Sequence, residues 1–109
     1  MEAGSLRQRF NDAMYDLYAR IVHETGYNPH IFHGMIEQHG GLETAHRLLR
    51  PEADFFSYGF ERLCQLRRHD LTMEALSLSL DYHEHLFTTS ELATATERLA
   101  AGRLLYPAR

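Results

Sequence analysis

The segment 26–49 constrains the fold of this 109-residue chain more than any other. A turn signal, Gly-Tyr-Asn-Pro, occupies 26–29, and a Gly-Gly pair at 40–41 separates two runs of helical periodicity. Glycine commonly follows a helix end, and proline fits the first position of a helix. The segment therefore predicts a turn, a helix capped by Asn28, a tight glycine break and a second, shorter helix.

Helical periodicity also dominates the rest of the chain. Apolar residues recur every three or four positions over 6–24, which predicts a long first helix with a wide apolar face. We expect one all-α domain over 1–109, a compact bundle of five or six helices with this long helix at its N-terminus. Residues 1–5 are expected to be a flexible N-terminus and 103–109 a C-terminal tail.

The remaining helices are predicted from their caps and breaks. They span about 42–50, 58–67 and 73–80, and the last runs from the capping box of Thr88 and Glu91 to about Ala101. Thr72 or Asp70 is expected to cap the helix that starts near 73. The segment 76–80 alternates as a strand would, but a lone strand has no partner, so a helix is preferred.

Charge and cysteine content exclude several classes of protein. The net charge of −4 argues against a general nucleic-acid binder, which needs clustered positive charge. The single cysteine, Cys64, rules out an intrachain disulfide scaffold and favours a reducing compartment. The N-terminus lacks the pattern of a signal peptide, and no apolar run approaches the length of a membrane span. We therefore expect a cytoplasmic protein with no membrane partner.

A set of spaced residues resembles a family pattern and covers about residues 10–99. The matching residues are Tyr18, Gly26, Tyr27, Pro29, Phe32, Met35, Gly40, Gly41, Ala45, Leu48, Leu49, Gly59, Phe60, Leu63, Asp70, Leu71, Thr72, Glu74, Leu86, Phe87, Thr88, Glu91, Leu92, Arg98 and Leu99. In these positions the chain resembles a small, widespread family of uncharacterised bacterial all-helical proteins, which stand alone or are fused to nuclease-like domains. The resemblance implies the fold and assigns no activity, cofactor or catalytic residue.

The chain departs from that pattern at two places. The basic residue expected directly before Asp-Leu-Thr is displaced by one position, which leaves Arg68-His69-Asp70. His30 and His33 are not part of the pattern. The resemblance therefore lends no support to a function for these two histidines.

A divalent-metal site is one alternative function. His30, His33 and Glu37 are spaced so that all three lie on one stripe of the second helix. Two imidazoles and a carboxylate are a suitable ligand set for zinc or a related ion. The competing interpretation is that these are solvated residues on the outer face of an amphipathic helix, so the leading expectation is that there is no cofactor.

DNA binding through a helix-turn-helix unit is the other alternative. The two helices around Gly40 and Gly41 have the arrangement of that motif, and the arginines that would serve it are Arg47, Arg50, Arg67 and Arg68. Nearby acidic residues bring the local charge close to zero. A recognition helix is expected to carry more positive charge than this.

The remaining reactive side chains favour structural roles. Cys64 lies on the inner face of a predicted helix beside no activating group, which indicates a buried thiol rather than a nucleophile. Asp70 and Glu74 are expected to cap or favour a helix N-terminus, or to pair with an arginine.

The leading prediction is therefore a non-enzymatic protein-interaction or regulatory module of the bacterial cytoplasm. Apolar residues are abundant for so small a core, and a homodimer is the commonest assembly for a protein of this kind. The residues expected to reach a partner are Phe55, Phe56, Leu104, Leu105 and Tyr106.

Overall fold

The computed structural model describes residues 3–50 and 58–108. Within these ranges the chain forms seven α-helices, one 3₁₀ helix and no strand. The helices are α1 (Ala3–Thr25), α2 (His30–His39), α3 (Gly41–Leu48), α4 (Tyr58–Gln65), the 3₁₀ helix (His69–Leu71), α5 (Met73–Ser77), α6 (His83–Leu86) and α7 (Thr89–Leu105). The all-α prediction is confirmed. One more helix is present than expected, because the single turn α6 forms in the connection before α7.

The long helix α1 carries the centre of the core. Four residues of its predicted apolar stripe are buried, namely Phe10, Met14, Leu17 and Ile21. It packs against α2 and α3, and the ring of Phe10 meets Tyr82 and Phe87 edge-on at centroid distances of 5.1 and 5.3 Å. A helix contacted on several sides needs so wide an apolar face.

The glycine break brings α3 directly onto α1. Gly40, with φ of +84°, is the single residue between α2 and α3. The backbone N–H of Gly41 donates to Oδ1 of Asn11 at 2.7 Å. A Cβ atom at position 41 would lie 2.9 Å from the Cα of Asn11, so only glycine allows this approach.

Two predicted N-caps are confirmed and one is wrong. The side chain of Thr72 accepts from the N–H of Ala75, and Thr88 forms the predicted capping box with Glu91. The helix α2 has Pro29 as its cap residue and no side-chain cap. Asn28 does not cap it, because its carboxamide oxygen instead accepts a hydrogen bond from the Tyr18 hydroxyl at 2.8 Å.

The last helix continues beyond its predicted end. It runs to Leu105 and passes through Gly102, so part of the predicted tail is helical. A Cβ atom at position 102 would lie 2.7 Å from Sγ of Cys64 and 3.4 Å from the ring of Phe60. The glycine therefore serves close packing of α7 against α4 rather than ending the helix.

The fourth and fifth helices end before their predicted limits. In α4 the turn after Gln65 places Arg67 at φ of +62°, and the N–H groups of Arg67 and Arg68 bond back to the carbonyls of Cys64 and Leu63. This is the hydrogen-bond pattern of a Schellman cap, with arginine where glycine is usual. The strand-like segment 76–80 forms the end of α5 and a turn.

Candidate functional site

A pocket of about 360 Å³ lies between α1, α2, α4 and α5, and we call it the α2 pocket. Its apolar wall is formed by Leu17, Ile21, Phe32, Met35, Leu63 and Leu71. Leu71 is fully buried and Ile21 is nearly so. The pocket therefore lies directly against the hydrophobic core of the molecule.

The pocket exists because α2 is only partly packed. The sequence predicts Phe32, Met35 and Ile36 as one inner face, but only Ile36 is fully buried. Phe32 and Met35 are half-buried and line the pocket. Ile31, which also lines it, is 73% exposed. The first half of α2 thus presents apolar side chains to open space instead of to another helix.

A buried ion pair lies in the lining of the pocket. Glu74 on α5 and Arg98 on α7 are each 4% exposed, and Nη1 of Arg98 lies 3.2 Å from Oε2 of Glu74. The same Nη1 donates to the carbonyl of Leu48 at 2.5 Å. Nη2 reaches the carbonyl of Arg50 at 3.5 Å. The guanidinium therefore joins the C-terminal end of α3 to α5 and α7.

The protonation of Glu74 is governed by its environment. Burial raises the pKa of the Glu74 carboxyl above its ordinary value, and the charge and hydrogen bond of Arg98 oppose this rise. A titratable group shifted by desolvation beside a pocket is a common property of functional sites. Structural ion pairs show such pKa shifts as well, so the functional interpretation rests on the geometry of the pocket.

This ion pair is not predicted by the sequence pattern. The sequence predicts that Glu74 favours the start of α5 or pairs with Arg47, Arg67 or Arg68. Its partner is Arg98, 24 residues away along the chain. One feature of the sequence points to both residues: Glu74 and Arg98 belong to the set of positions on which the family resemblance rests.

The structure does not bring the predicted metal ligands together as a site. The ring of His33 stacks on Tyr18 at a centroid distance of 4.2 Å, and its Nδ1 lies 3.7 Å from Oε1 of Glu37. His30 is exposed and lines the α2 pocket. Over residues 3–50 and 58–108, no three His, Cys, Asp or Glu side chains form a group that would hold a metal ion.

The arginines considered for DNA binding make contacts within the molecule. Nε of Arg47 lies 3.0 Å from Oε2 of Glu43. Arg67 donates to the carbonyl of Gln65 at 2.8 Å, and its guanidinium carbon lies 5.7 Å from the centre of the Tyr106 ring.

The other two arginines differ in exposure and pairing. Arg50 is exposed at the end of α3. Nη2 of Arg68 lies 2.6 Å from Oε1 of Glu24 and 3.0 Å from Oδ2 of Asp70. Ion pairing thus compensates the charge of Arg47 and Arg68 within the fold.

The ion pairs of Arg68 predict a pH-dependent contribution to stability. The hydrogen bonds from Arg68 lower the pKa of Asp70, and those from Arg20 and Arg68 lower the pKa of Glu24. A lowered folded-state pKa stabilises the fold above the unfolded pKa, and this contribution is lost as the pH falls through the folded pKa. We expect Arg68→Gln to lower Tm slightly at pH 7, and the gap from the wild type to close between about pH 5 and pH 2.

Thermal melts followed by circular dichroism at several pH values measure this gap. Arg62→Gln is the matched control, because Arg62 is exposed and hydrogen-bonds to the neutral side chain of Gln65. The difference in Tm between Arg62→Gln and the wild type should not change with pH. If the difference in Tm between Arg68→Gln and the wild type stays constant or widens in acid, the ion pairs of Arg68 with Glu24 and Asp70 are not the source of the stability.

The residues predicted to contact a partner have different surroundings. Phe55 and Phe56 lie outside the described residues. Leu104 and Leu105 are 81% and 59% exposed on the last turn of α7. Tyr106 is half-buried and packs against the cluster of Phe60, Cys64 and Leu99. Of the described three, the two leucines present most of their apolar surface to solvent, whereas Tyr106 presents less.

The single cysteine is not an activated nucleophile. Cys64 is fully buried, as predicted. Burial, with a smaller contribution from the charge of Glu74, raises the pKa of the Cys64 thiol to about 11. The thiol is therefore protonated at neutral pH, whereas nucleophilic cysteines are activated as thiolates.

Comparisons of the chain with protein-family models, curated proteins and solved structures find no match. The family resemblance therefore stays a prediction that rests on the residues quoted above. In the described ranges, no helix has both the length and the apolar character needed to cross a membrane.

Proposed function

We propose that the protein is a non-enzymatic regulatory module of the bacterial cytoplasm that binds a small, largely apolar molecule in the α2 pocket. The observation that supports this is the largely apolar lining of the pocket, which lies against the core residues Leu17, Ile21 and Leu63. Pockets for small molecules are concave, mostly apolar and contain a few convergent polar groups. The α2 pocket combines an apolar wall with one buried ion pair.

The pocket volume sets the size of the ligand. A dry cavity of about 150 Å³ accepts benzene, which corresponds to roughly 25 Å³ for each non-hydrogen atom. On that scale the α2 pocket, at about 360 Å³, accommodates about 14 non-hydrogen atoms. A ligand of this size is expected to bind with a dissociation constant on the order of 10 µM.

Binding of a neutral fluorescent probe tests the proposal. A neutral dye within that size limit, 4-(dimethylamino)phthalimide, emits strongly only in apolar, aprotic surroundings, and the chain contains no tryptophan to complicate its signal. We expect saturable enhancement of the probe emission by the folded protein. Gly59 lines the pocket, and among the described residues beyond its chain neighbours a Cβ atom there would meet Tyr27 Oη alone, at 3.6 Å. We therefore expect Gly59→Leu to fill the pocket without a backbone clash and to weaken binding at least about tenfold.

Gly34→Leu is the matched control for the pocket-filling variant. Gly34 is an exposed helical residue outside the described pocket lining, and no atom of the described part of the chain beyond its own helix backbone and neighbours lies within 4 Å of a Cβ atom at that position. This control should bind the probe as the wild type does. Equal binding by all three proteins, or no saturable binding by the wild type, would refute the proposed function.

The other hypotheses remain predictions. A protein partner or a homodimer contacting Leu104 and Leu105 agrees with their exposure, and no described contact tests it. DNA binding would have to use arginines that largely pair within the fold. A metal site at His30, His33 and Glu37 would require these side chains to rearrange.

A further inference from the structure

The charged residues in the described lining of the α2 pocket balance each other. Glu74 and Arg98 are the only Asp, Glu, Lys or Arg residues among its described lining, and each is 4% exposed. Their charged atoms lie 3.2 Å apart. His30 also lines the pocket but is exposed to solvent. Among the described lining residues, the buried part of the pocket therefore has one negative and one positive charge, and these are paired with each other.

We propose that the α2 pocket selects uncharged ligands, with an apolar body and a neutral hydrogen-bonding head such as a hydroxyl group, over carboxylates and ammonium ions of the same chain length. This inference rests on the proposed function and names the ligand class of the same site. The head would meet the Glu74–Arg98 pair, and the body would lie against the apolar wall formed by α1 and α2.

The selectivity follows from desolvation. An ionised head that enters the pocket loses its hydration and finds no free counter-charge among the described lining residues, because Glu74 and Arg98 neutralise each other. A carboxylate would compete with Glu74 for the guanidinium, and an ammonium ion would compete with Arg98 for the carboxylate. A hydroxyl group has a much smaller desolvation penalty and can donate to a carboxylate oxygen. The neutral head is therefore preferred.

Competition against the neutral probe tests this preference. The competitors are 1-decanol, decanoate and decylammonium at pH 7, with decanol below its solubility limit and the two ions below the concentrations at which they form micelles. We expect decanol to displace the probe at a concentration at least about tenfold lower than either ion. Decanoate or decylammonium binding as tightly as decanol would overturn the inference, because it would show that the head stays in water or finds a free counter-charge.

The variant Glu74→Gln is expected to change the ligand specificity of the pocket. It removes the negative charge, retains the shape of the side chain and leaves the Arg98 guanidinium uncompensated. We expect the affinity for decanoate relative to decanol to rise at least about tenfold. Glu37→Gln is the matched control, because Glu37 is an exposed residue of α2 outside the pocket lining. It changes the net charge equally and should leave the ranking unchanged.

The outcomes separate failure of this inference from failure of the proposed function. If decanol and decanoate bind alike and Gly59→Leu weakens both, the pocket binds ligands and only the charge selectivity is wrong. If no competitor displaces the probe, or Gly59→Leu has no effect, the proposed function itself fails. Should Glu74→Gln not fold, as judged by circular dichroism, the wild-type ranking of the three heads decides the question alone.

Discussion

Replacing Arg98 by methionine is expected to lower the free energy of unfolding by about 3–5 kcal/mol. The substitution leaves Glu74 buried without its counter-charge and leaves the carbonyl of Leu48 without its donor. Both losses occur where water has little access, since Arg98 and Glu74 are almost fully buried. An unpaired buried charge costs several kcal/mol, whereas an exposed ion pair contributes about 1 kcal/mol or less. Urea unfolding followed by circular dichroism measures the difference.

Two further variants identify the cause of that loss. Arg103→Met makes the same chemical change at an exposed position of α7 and should alter stability by no more than about 0.5 kcal/mol. The double variant Arg98→Met, Glu74→Met removes both charges and should recover a large part of the loss. If Arg98→Met costs less than about 1 kcal/mol, or if the double variant is no more stable than the single one, the ion pair does not carry the stability assigned to it.

Substitution of Gly41 by alanine should destabilise the protein by about 1–3 kcal/mol. The new Cβ atom would lie 2.9 Å from the Cα of Asn11 and 3.1 Å from Cγ of Met14. Because the nearest atom belongs to the backbone of α1, a change of rotamer does not relieve the contact and the two helices have to separate. The separation would also weaken the hydrogen bond from Gly41 to Asn11 and the packing of Met14.

Gly34→Ala is the control for this prediction, since it makes the same change in a helix with open space around it. Alanine is the better helix former, so this variant should stabilise the protein by about 0.5–1 kcal/mol. Urea unfolding of both variants gives the comparison. Equal effects at the two positions would show that helix propensity, rather than the approach of α3 to α1, decides the outcome at Gly41.

Several helix ends could be predicted because they depend on neighbouring residues. The capping box of Thr88 and Glu91 is complete within three residues, and the side chain of Thr72 caps its helix over the same separation. Gly26, with φ of +78°, ends α1 by bonding to the carbonyl of Val22. Such interactions form inside one helical turn, so their pattern is visible in the order of the residues.

Where the predictions failed, a distant residue competed with the local pattern. Asparagine commonly caps helices, but the carboxamide oxygen of Asn28 accepts a hydrogen bond from the hydroxyl of Tyr18 instead. Glycine commonly follows the end of a helix, but α7 continues through Gly102 to Leu105. The missing side chain of Gly102 leaves space for Cys64 to pack against α7. In both cases the outcome depends on a side chain that other parts of the fold bring into contact.

The amino-acid sequence alone determined that this protein is all-helical, with a long first helix and a glycine break between its second and third helices. These properties follow from periodicity and from capping interactions within about four residues. Only the tertiary structure decided that Glu74 pairs with Arg98 and that half of α2 faces a pocket rather than the core. The physical reason is that pairing across 24 residues, and the space left beside a helix, depend on how the helices are oriented in three dimensions.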